Sequence, residues 1–360
     1  MAIQKSDLNR RTVLKSIGTG VLGATVGAGL TWPQLVQAKT SPATPGPGRR
    51  KASYQKLTEP AQVSLVKGND RREIVYQALK KLEDPIISSI GNKRILIKPN
   101  FVVTNTELCA THVDAIRAIL DFLKPHHSQQ IMIGESTASR GGGTFDGYKN
   151  YKYLALEKEY GIKLVDLNRE SWQWGYGIGK ENRVIPLRLI STFFDPDLYV
   201  ISAAKLKTHD RVLTTLSLKN ILMAAPLNDY KNSDKGKMHS SEAFDRNIQL
   251  HFNLFHLAQQ IYPDLGVIDG FVGMEGNGPV AGTPVDARLA LASLDPLALD
   301  MLATKVMGFD PNMIRYMTAL AEAGMGQGDL DLIRVLGTPI EQCQYHFEPS
   351  KRLREPYGLG

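Results

Sequence analysis

Short apolar runs rich in β-branched residues alternate with helical segments along this chain, and this alternation limits the folds it can adopt. The runs are residues 63–66, 94–97, 130–133 and 265–268, together with the run that begins at Tyr199. Two strands separated by a single helix form a βαβ unit whose strands run parallel. We therefore predict an α/β fold with a mostly parallel sheet flanked by helices. The pattern favours a single large domain and leaves open a division into two lobes.

Four of the predicted strands end in polar residues. These residues are Lys98 and Asn100, Glu135, the set Lys205, Lys207 and His209, and Asp269. Side chains on a strand alternate between its faces, so Lys205, Lys207 and His209 would share one face. The carboxyl ends of parallel strands meet at the edge where α/β proteins bind ligands. One such strand could simply run into a surface loop, but four of them favour a common ligand site.

The lysines near these strand ends are suited to an anionic ligand. Lys98, Lys205, Lys207 and Lys219 carry ammonium groups that bind phosphate or carboxylate. His209 is a candidate acid or base because its ordinary pKa lies near working pH, and Lys207 is the second candidate catalytic residue. The alternative is that these lysines form ordinary salt bridges with nearby acids.

Acidic residues and glycines in the same regions suggest two further features. Glu135, Asp269 and Glu275 could hold a divalent metal, although their spacing matches no compact metal motif. The stretch from Gly276 through Asn277 to Gly278 could present backbone amides to an anion, or it could be an ordinary turn. No nucleophile elbow, phosphate-binding loop or dinucleotide fingerprint is present in the sequence.

The N-terminus has the pattern of an export signal. Arg10 and Arg11 precede a weakly apolar run at residues 17–30 and a small-residue cleavage pattern ending at Ala38. We predict a twin-arginine (Tat) signal peptide at 1–38, a Pro/Gly-rich linker at 39–56, an α/β domain at 57–345 and a tail at 346–360. The run is shorter than a membrane span needs, so we expect no stable span. The Tat translocation machinery would be a partner, and the location periplasmic or extracellular.

Charge and cysteine content exclude two classes of function. Eight of the 43 basic residues and one of the 36 acidic residues precede Ala52, so the rest of the chain is neutral and we expect no nucleic-acid partner. The two cysteines, Cys109 and Cys343, could pair or remain thiols, but two thiols cannot hold an iron-sulfur cluster. The missing cysteine clusters count against a redox carrier.

Several segments together resemble the DUF362 family, a family named for its unknown function. They are 98–100, 133–136, 205–209, 218–220, His239, 268–270, 275–279 and 295–300, and the similarity extends over roughly residues 63–340. These segments add Asn100, Asn220 and His239 to the candidate ligand-binding residues. Many family members carry ferredoxin-type cysteine clusters, which this chain lacks, so no iron-sulfur cluster is expected. The resemblance implies an α/β domain and no particular reaction.

Two hypotheses about function follow from the sequence. In the first, an exported protein binds a small anionic molecule, with a divalent metal as a further option, at the carboxyl edge of its sheet; whether it is an enzyme stays open. In the second, the protein is a non-catalytic binding or assembly protein of the cell envelope. Trp172, Trp174 and the glycine-rich loop would then form a partner surface.

Overall fold

The structure, a computed structural model, describes residues 51–139, 142–229, 232–239, 248–355 and 357–359. The predicted signal peptide at 1–38 and most of the predicted linker at 39–56 lie outside these residues. The structure therefore does not test those two predictions. The described residues belong to one compact unit of the chain.

Strands and helices alternate along much of the chain as the sequence predicts, but residues 163–215 and 265–293 each contain several strands with no α-helix between them. The strands are β1 (Ala61–Lys67), β2 (Arg94–Lys98), β3 (Met132–Glu135), β4 (Lys163–Asp166), β5 (Trp172–Ile178), β6 (Val184–Ile190), β7 (Leu198–His209), β8 (Leu213–Thr215), β9 (Leu265–Asn277), β10 (Ala281–Val285), β11 (Leu289–Ser293) and β12 (Ile333–Gly337). The helices are α1 (Arg71–Lys80), α2 (Glu83–Ile90), α3 (Val113–Leu123), α4 (Thr144–Asn150), α5 (Ala155–Tyr160), α6 (Ser217–Leu222), α7 (Asp234–Lys237), α8 (Ile248–Ala258), α9 (Pro296–Val306) and α10 (Arg315–Glu322).

One large sheet organises the domain. Its described strands follow the order β12-β1-β11-β9-β7-β2-β3-β4, with β8 paired to β7 and β10 paired to β9. The pairs β2–β3, β3–β4, β2–β7, β7–β9 and β1–β12 are parallel, whereas β11 pairs antiparallel with β1 and β9. The predicted βαβ unit is present as β2–α3–β3. The prediction of an α/β fold with a mostly parallel sheet is confirmed.

Strand β7 lies in the middle of the sheet, and all twelve of its residues are buried. Val200 and Ala204 pack with side chains of α6, α8 and α9, whereas Ile201 and Ala203 pack with side chains of α1 and α3. Helices therefore cover both faces of this strand. A strand buried on both faces has a nearly continuous apolar sequence, as the run from Tyr199 does.

The sequence misplaced the end of one strand. It predicts a strand over residues 265–268 that ends at Asp269, whereas β9 continues through Asp269 to Asn277. The backbone ladder continues because Gly270 pairs with Leu289 of β11 and Gly273 pairs with Val285 of β10. A strand can continue through a buried polar side chain when that side chain has partners. Asp269 has them in Lys205 and Arg71.

Side chains cap the starts of α9 and α3. The Asp295 carboxylate caps α9, since it accepts the backbone N–H groups of Leu297 and Ala298, each at 3.1 Å. The cap of α3 is His112 and not the neighbouring Thr111. The Thr111 hydroxyl instead donates to the Ala203 carbonyl at 2.7 Å and accepts the Asn100 N–H at 2.9 Å. It therefore joins the end of β2 to β7.

The aromatic-rich insertion forms a separate two-stranded hairpin of β5 and β6. Trp172, Trp174 and Tyr176 alternate along β5 and are 41%, 61% and 60% exposed. Gly175 and Gly177 flank Tyr176 and are buried; a Cβ on either would approach a leucine side chain of β6 within 3 Å. The hairpin therefore turns its aromatic residues toward solvent. Within the described residues, no helix has both the length and the apolar character required to cross a membrane.

Candidate functional site

Helix α6 carries two of the predicted site residues and is held in place by buried hydrogen bonds. The Asp300 carboxylate on α9 accepts the N–H groups of Ser217 at 2.8 Å and Leu218 at 2.9 Å. The Ser202 hydroxyl on β7 donates to the Ser217 carbonyl at 2.7 Å. Because the free N–H groups of a helix start require acceptors, Asp300 fixes this short helix against the sheet. Lys219 and Asn220 are thereby placed beside the carboxyl ends of β2 and β7.

The Asn220 side chain is the centre of a buried network. Its Oδ1 accepts from Lys98 Nζ at 2.7 Å and from Asn100 Nδ2 at 2.8 Å. Lys207 Nζ in turn donates to Asn100 Oδ1 at 2.5 Å and to the Cys109 carbonyl at 2.7 Å. Four predicted site residues from three separate segments therefore lie in direct contact.

Two buried carboxylates pair with lysines of the site. Glu135 Oε1 lies 3.0 Å from Lys98 Nζ, and the same carboxylate accepts the N–H groups of Phe101 and Ser136, each at 2.6 Å. Asp269 lies 3.4 Å from Lys205 Nζ and 3.2 Å from Arg71 Nε. Although burial alone raises the pKa of Asp269, the charges of Lys205 and Arg71 lower it below its ordinary value.

The structure describes five buried lysines, and all belong to this region, which we call the lysine cluster. They are Lys98, Lys205, Lys207, Lys219 and Lys235. Burial, followed by the charges of neighbouring lysines, lowers the pKa of Lys219 to about 7. Burial also lowers the pKa of Lys207 to about 8. Among the described residues, only Glu135 and Asp269 form ion pairs with lysines of the cluster.

The buried His209 and the half-buried His239 lie near Lys219. The rings of His209 and His239 stack with centroids 6.2 Å apart. Burial is the main cause that lowers the pKa of both, to about 3 for His239, and the charge of Lys219 acts in the same direction. Both imidazoles are therefore neutral at pH 7.

Hydrogen bonds fix a different tautomer for each of these histidines. His239 Nδ1 lies 2.8 Å from the Lys235 carbonyl, an acceptor, so this nitrogen carries the proton and Nε2 is the acceptor. His209 Nδ1 accepts the Arg211 N–H at 3.1 Å, so its proton lies on Nε2. The pair thus offers one donor and one acceptor.

The glycine-rich turn lies apart from this network and is engaged with the C-terminal tail. The Gly276 N–H donates to the Glu348 carbonyl at 2.7 Å, and the Gly278 N–H donates to the Gly276 carbonyl at 2.8 Å. Asn277 Oδ1 accepts from the Ser350 hydroxyl at 3.2 Å. A Cβ at Gly278 would lie 2.1 Å from the Thr208 carbonyl, so glycine is required for this approach to β7. These amides have protein acceptors in this conformation.

The structure does not bring together the three predicted metal ligands. Glu135 and Asp269 are paired with lysines, and Glu275 accepts the Glu348 N–H at 2.9 Å. Within the part of the chain that is described, no group of three His, Cys, Asp or Glu residues is arranged to hold a metal ion. Cys109 and Cys343 are both buried and unpaired.

Sequence reasoning missed three residues that build the site. Lys235 donates to the Ser136 hydroxyl at 3.0 Å and to the carbonyls of Met223 and Ala224 at 2.7 and 2.9 Å. Arg71 shares Asp269 with Lys205, and Asp300 caps α6. Lys235 lies in a polar stretch that resembles a surface loop, and Arg71 opens an ordinary helix, so neither carries a local signal. Asp300 lies within segment 295–300, one of the segments that resemble the DUF362 family, so the sequence did mark the region around it.

Two clefts lie away from the lysine cluster. One, of about 310 Å³, is lined by residues that include Leu57, Pro60 and Leu294. The other, of about 240 Å³, is lined by residues that include Lys305, Phe309 and Tyr345. None of the predicted site residues lines either cleft.

Comparison with known proteins identifies similarities that cover most of the described chain. The model of a family described as a domain of unknown function (DUF362) matches residues 95–305, which include every lysine of the cluster. A curated relative, the thylakoid-associated protein sll1697 of Synechocystis sp., is 29% identical over 271 residues. That alignment covers 73% of this chain and 79% of the relative.

The lowered pKa of Lys219 predicts a measurable pH dependence of stability. The unfolded chain keeps this lysine protonated up to about pH 10.4, whereas the folded protein releases the proton near pH 7. The unfolded state therefore holds more protons between pH 7 and pH 10, so the free energy of unfolding rises with pH, by at most about 1.4 kcal/mol per pH unit. Lys219→Met should flatten this rise in urea unfolding series.

The matched control is Lys163→Met on β4, because Lys163 is exposed. This variant should keep the wild-type slope. Equal slopes for wild type and Lys219→Met would contradict the lowered pKa.

Proposed function

This chain belongs to the DUF362 family, and we propose that it binds a small anion, a phosphate or a carboxylate, in the lysine cluster. The observation that carries this proposal is the imbalance of buried charge. Five buried lysines have two carboxylate partners, and Lys207, Lys219 and Lys235 have none among the described residues. Burying an unpaired ammonium costs several kcal/mol, and an anion offsets that cost.

Unused hydrogen-bond donors support the same proposal. An ammonium group has three N–H donors. Lys98 uses two of them, for Asn220 and Glu135, and Lys207 uses two, for Asn100 and the Cys109 carbonyl. Each keeps one donor for a ligand, while all three hydrogens of Lys219 lack acceptors among the described residues. In this proposal Lys205 contributes positive charge, Lys235 holds the Ser136 hydroxyl, and Asn100 and Asn220 orient the donors.

The proposal predicts that anion binding is accompanied by proton uptake. Calorimetric titration with inorganic phosphate or acetate at pH 8 should show binding, because an anion favours the charged form of Lys219. In two buffers with different ionisation enthalpies, the observed heats should differ, because the buffer supplies up to one proton to Lys219. Lys207→Met should weaken binding by about tenfold to a hundredfold, the loss of one charge-assisted hydrogen bond.

Lys305→Met serves as the control, because Lys305 is exposed and lines the second cleft. It should leave binding unchanged if the anion occupies the lysine cluster. Circular dichroism would establish that both variants are folded. An absence of binding at millimolar phosphate and acetate, or loss of binding in Lys305→Met alone, would contradict the proposal.

A second candidate function is a non-catalytic role at the cell envelope, favoured by the exposed aromatic residues of the β5–β6 hairpin. Trp and Tyr combine an apolar ring with a polar group, which suits a membrane surface. The guanidinium of Arg188 lies 5.9 Å from the Trp172 ring and is ion-paired with Asp229 and Asp234. On the other side, Asn253 of α8 accepts the Ile178 N–H at 2.7 Å and holds the hairpin. The relative named thylakoid-associated is compatible with binding at a membrane surface.

This candidate is tested by co-sedimentation with vesicles of phosphatidylglycerol and phosphatidylcholine. Replacing Trp174 and Tyr176 with Ser should reduce the bound fraction by about tenfold or more, since each ring would lose its apolar burial. Leu154→Ser, at an exposed apolar residue of another segment, should bind like wild type. Equal binding by all three proteins would argue against a membrane role of the hairpin.

We also propose that residues 1–38 direct export through the Tat machinery to the periplasm or the cell exterior. Because the signal is read through its arginine pair, replacing both Arg10 and Arg11 with Lys should keep the protein in the cytoplasm with the segment uncut. Lys15→Arg should be exported and cut after Ala38. Fractionation and mass measurement of the N-terminus report both outcomes, and export of the double variant at the wild-type level would refute this route.

A further inference from the structure

Lys219 differs from the other lysines of the cluster in its contacts. Lys98, Lys205, Lys207 and Lys235 each donate to at least one oxygen within the site. Lys219 is 5% exposed, yet no hydrogen bond or ion pair involves its Nζ within the described part of the chain. A buried ammonium without acceptors costs far more free energy than a buried neutral amine, because the amine carries no net charge. The surroundings of Lys219 therefore favour an amine with a free lone pair.

With a pKa of about 7, Lys219 is present near neutral pH both as an ammonium, which binds an anion, and as a neutral amine, which is a nucleophile. Lysines become nucleophilic when they are desolvated or lie near other cations, and Lys219 meets both conditions. Lys98 and Lys207, whose charges are felt at Lys219, each keep an N–H donor for a carboxylate. A ligand that has a carboxylate next to a carbonyl carbon would use both properties.

We propose that Lys219 forms a Schiff base with the carbonyl group of a small α-keto acid whose carboxylate is bound by Lys98 and Lys207. This inference rests on the proposed anion binding and names the substrate class of that site. The buried position of the cluster restricts the ligand to a small molecule such as pyruvate. Phosphate could occupy the carboxylate position but has no carbonyl carbon to react.

The step balances without an added oxidant or reductant. The lone pair of Lys219 Nζ forms a C–N bond with the carbonyl carbon, and the π electrons of the C=O bond move to oxygen. The amine loses a proton and the oxygen gains one, giving a carbinolamine. A second proton transfer releases the oxygen as water and leaves a C=N bond.

The tautomers of the two histidines match these proton movements. The free Nε2 of His239 accepts a proton, as the departing amine hydrogen requires. The Nε2–H of His209 donates a hydrogen bond to the carbonyl oxygen, and the proton that His239 takes from the amine passes on to that oxygen. The other charged groups near Lys219 are Lys98, Lys207 and Asp210. Among these, only Asp210 raises the pKa of Lys219 and so favours the protonated form of this lysine.

The test is reductive trapping of the full-length protein with pyruvate and sodium cyanoborohydride, followed by peptide mass mapping. One reduced adduct is expected on Lys219, at about tenfold or more the level on exposed Lys163, because far more of the Lys219 amine is neutral near pH 7. Trapping should fall in Lys207→Met and under competing phosphate, and it should rise with pH through about 7. Lys163→Met should leave the Lys219 adduct unchanged.

Separate outcomes distinguish this inference from the function on which it rests. If pyruvate and phosphate bind in calorimetry but no adduct forms on Lys219, the Schiff base is refuted and anion binding stands. If neither ligand binds and no adduct forms, both proposals fail. Mapping the wild-type protein keeps the test decisive even where a Lys219 variant does not fold.

Discussion

The side chain of Asn220 is the contact on which the arrangement of the site depends. Its Oδ1 accepts from Lys98 and Asn100, and its Nδ2 donates to the Lys98 carbonyl and the Ser202 hydroxyl, each at 3.1 Å. All four hydrogen-bonding positions of the amide are thus used. This one group joins β2, β7 and α6, and it sets the positions from which the lysines can act. Asp300 supports it from α9 by capping the helix that carries it.

Around this contact the protein collects more buried positive charge than it neutralises. Glu135 and Asp269 compensate Lys98 and Lys205, while Lys207 and Lys219 remain charged only at the expense of folding stability. Their lowered pKa values express that cost, since burial disfavours the charged form of a lysine. Proteins retain such unfavourable groups chiefly at functional sites. The imbalance therefore supports a ligand-binding role more strongly than the strand ends themselves do.

Most of the groups in the site could be identified from the sequence because they lie at the ends of strands. Strand ends of a parallel sheet converge, so Lys98, Glu135 and Lys207 could be assigned to one edge from the alternation of strands and helices alone. Contacts made far along the chain had no such signal. Asp269 appeared to end a strand, because nothing in its neighbourhood reveals the pairing of β9 with β10 and β11. Lys235 resembled a surface lysine because its acceptors on Ser136, Met223 and Ala224 all lie outside the polar stretch that surrounds it.

The sequence by itself determined the fold class, the neutral charge of the chain beyond residue 51 and the candidate residues at the carboxyl edge of the sheet. These follow from periodicity and composition, which are local properties. Only the tertiary structure decided which lysines are paired and which aromatic rings face solvent. It also decided that the glycine-rich turn contacts the C-terminal tail, and it gave the two histidines their tautomers. Burial and pairing depend on neighbours brought together by folding, and so the chemistry of Lys219 could not be read from the sequence around it.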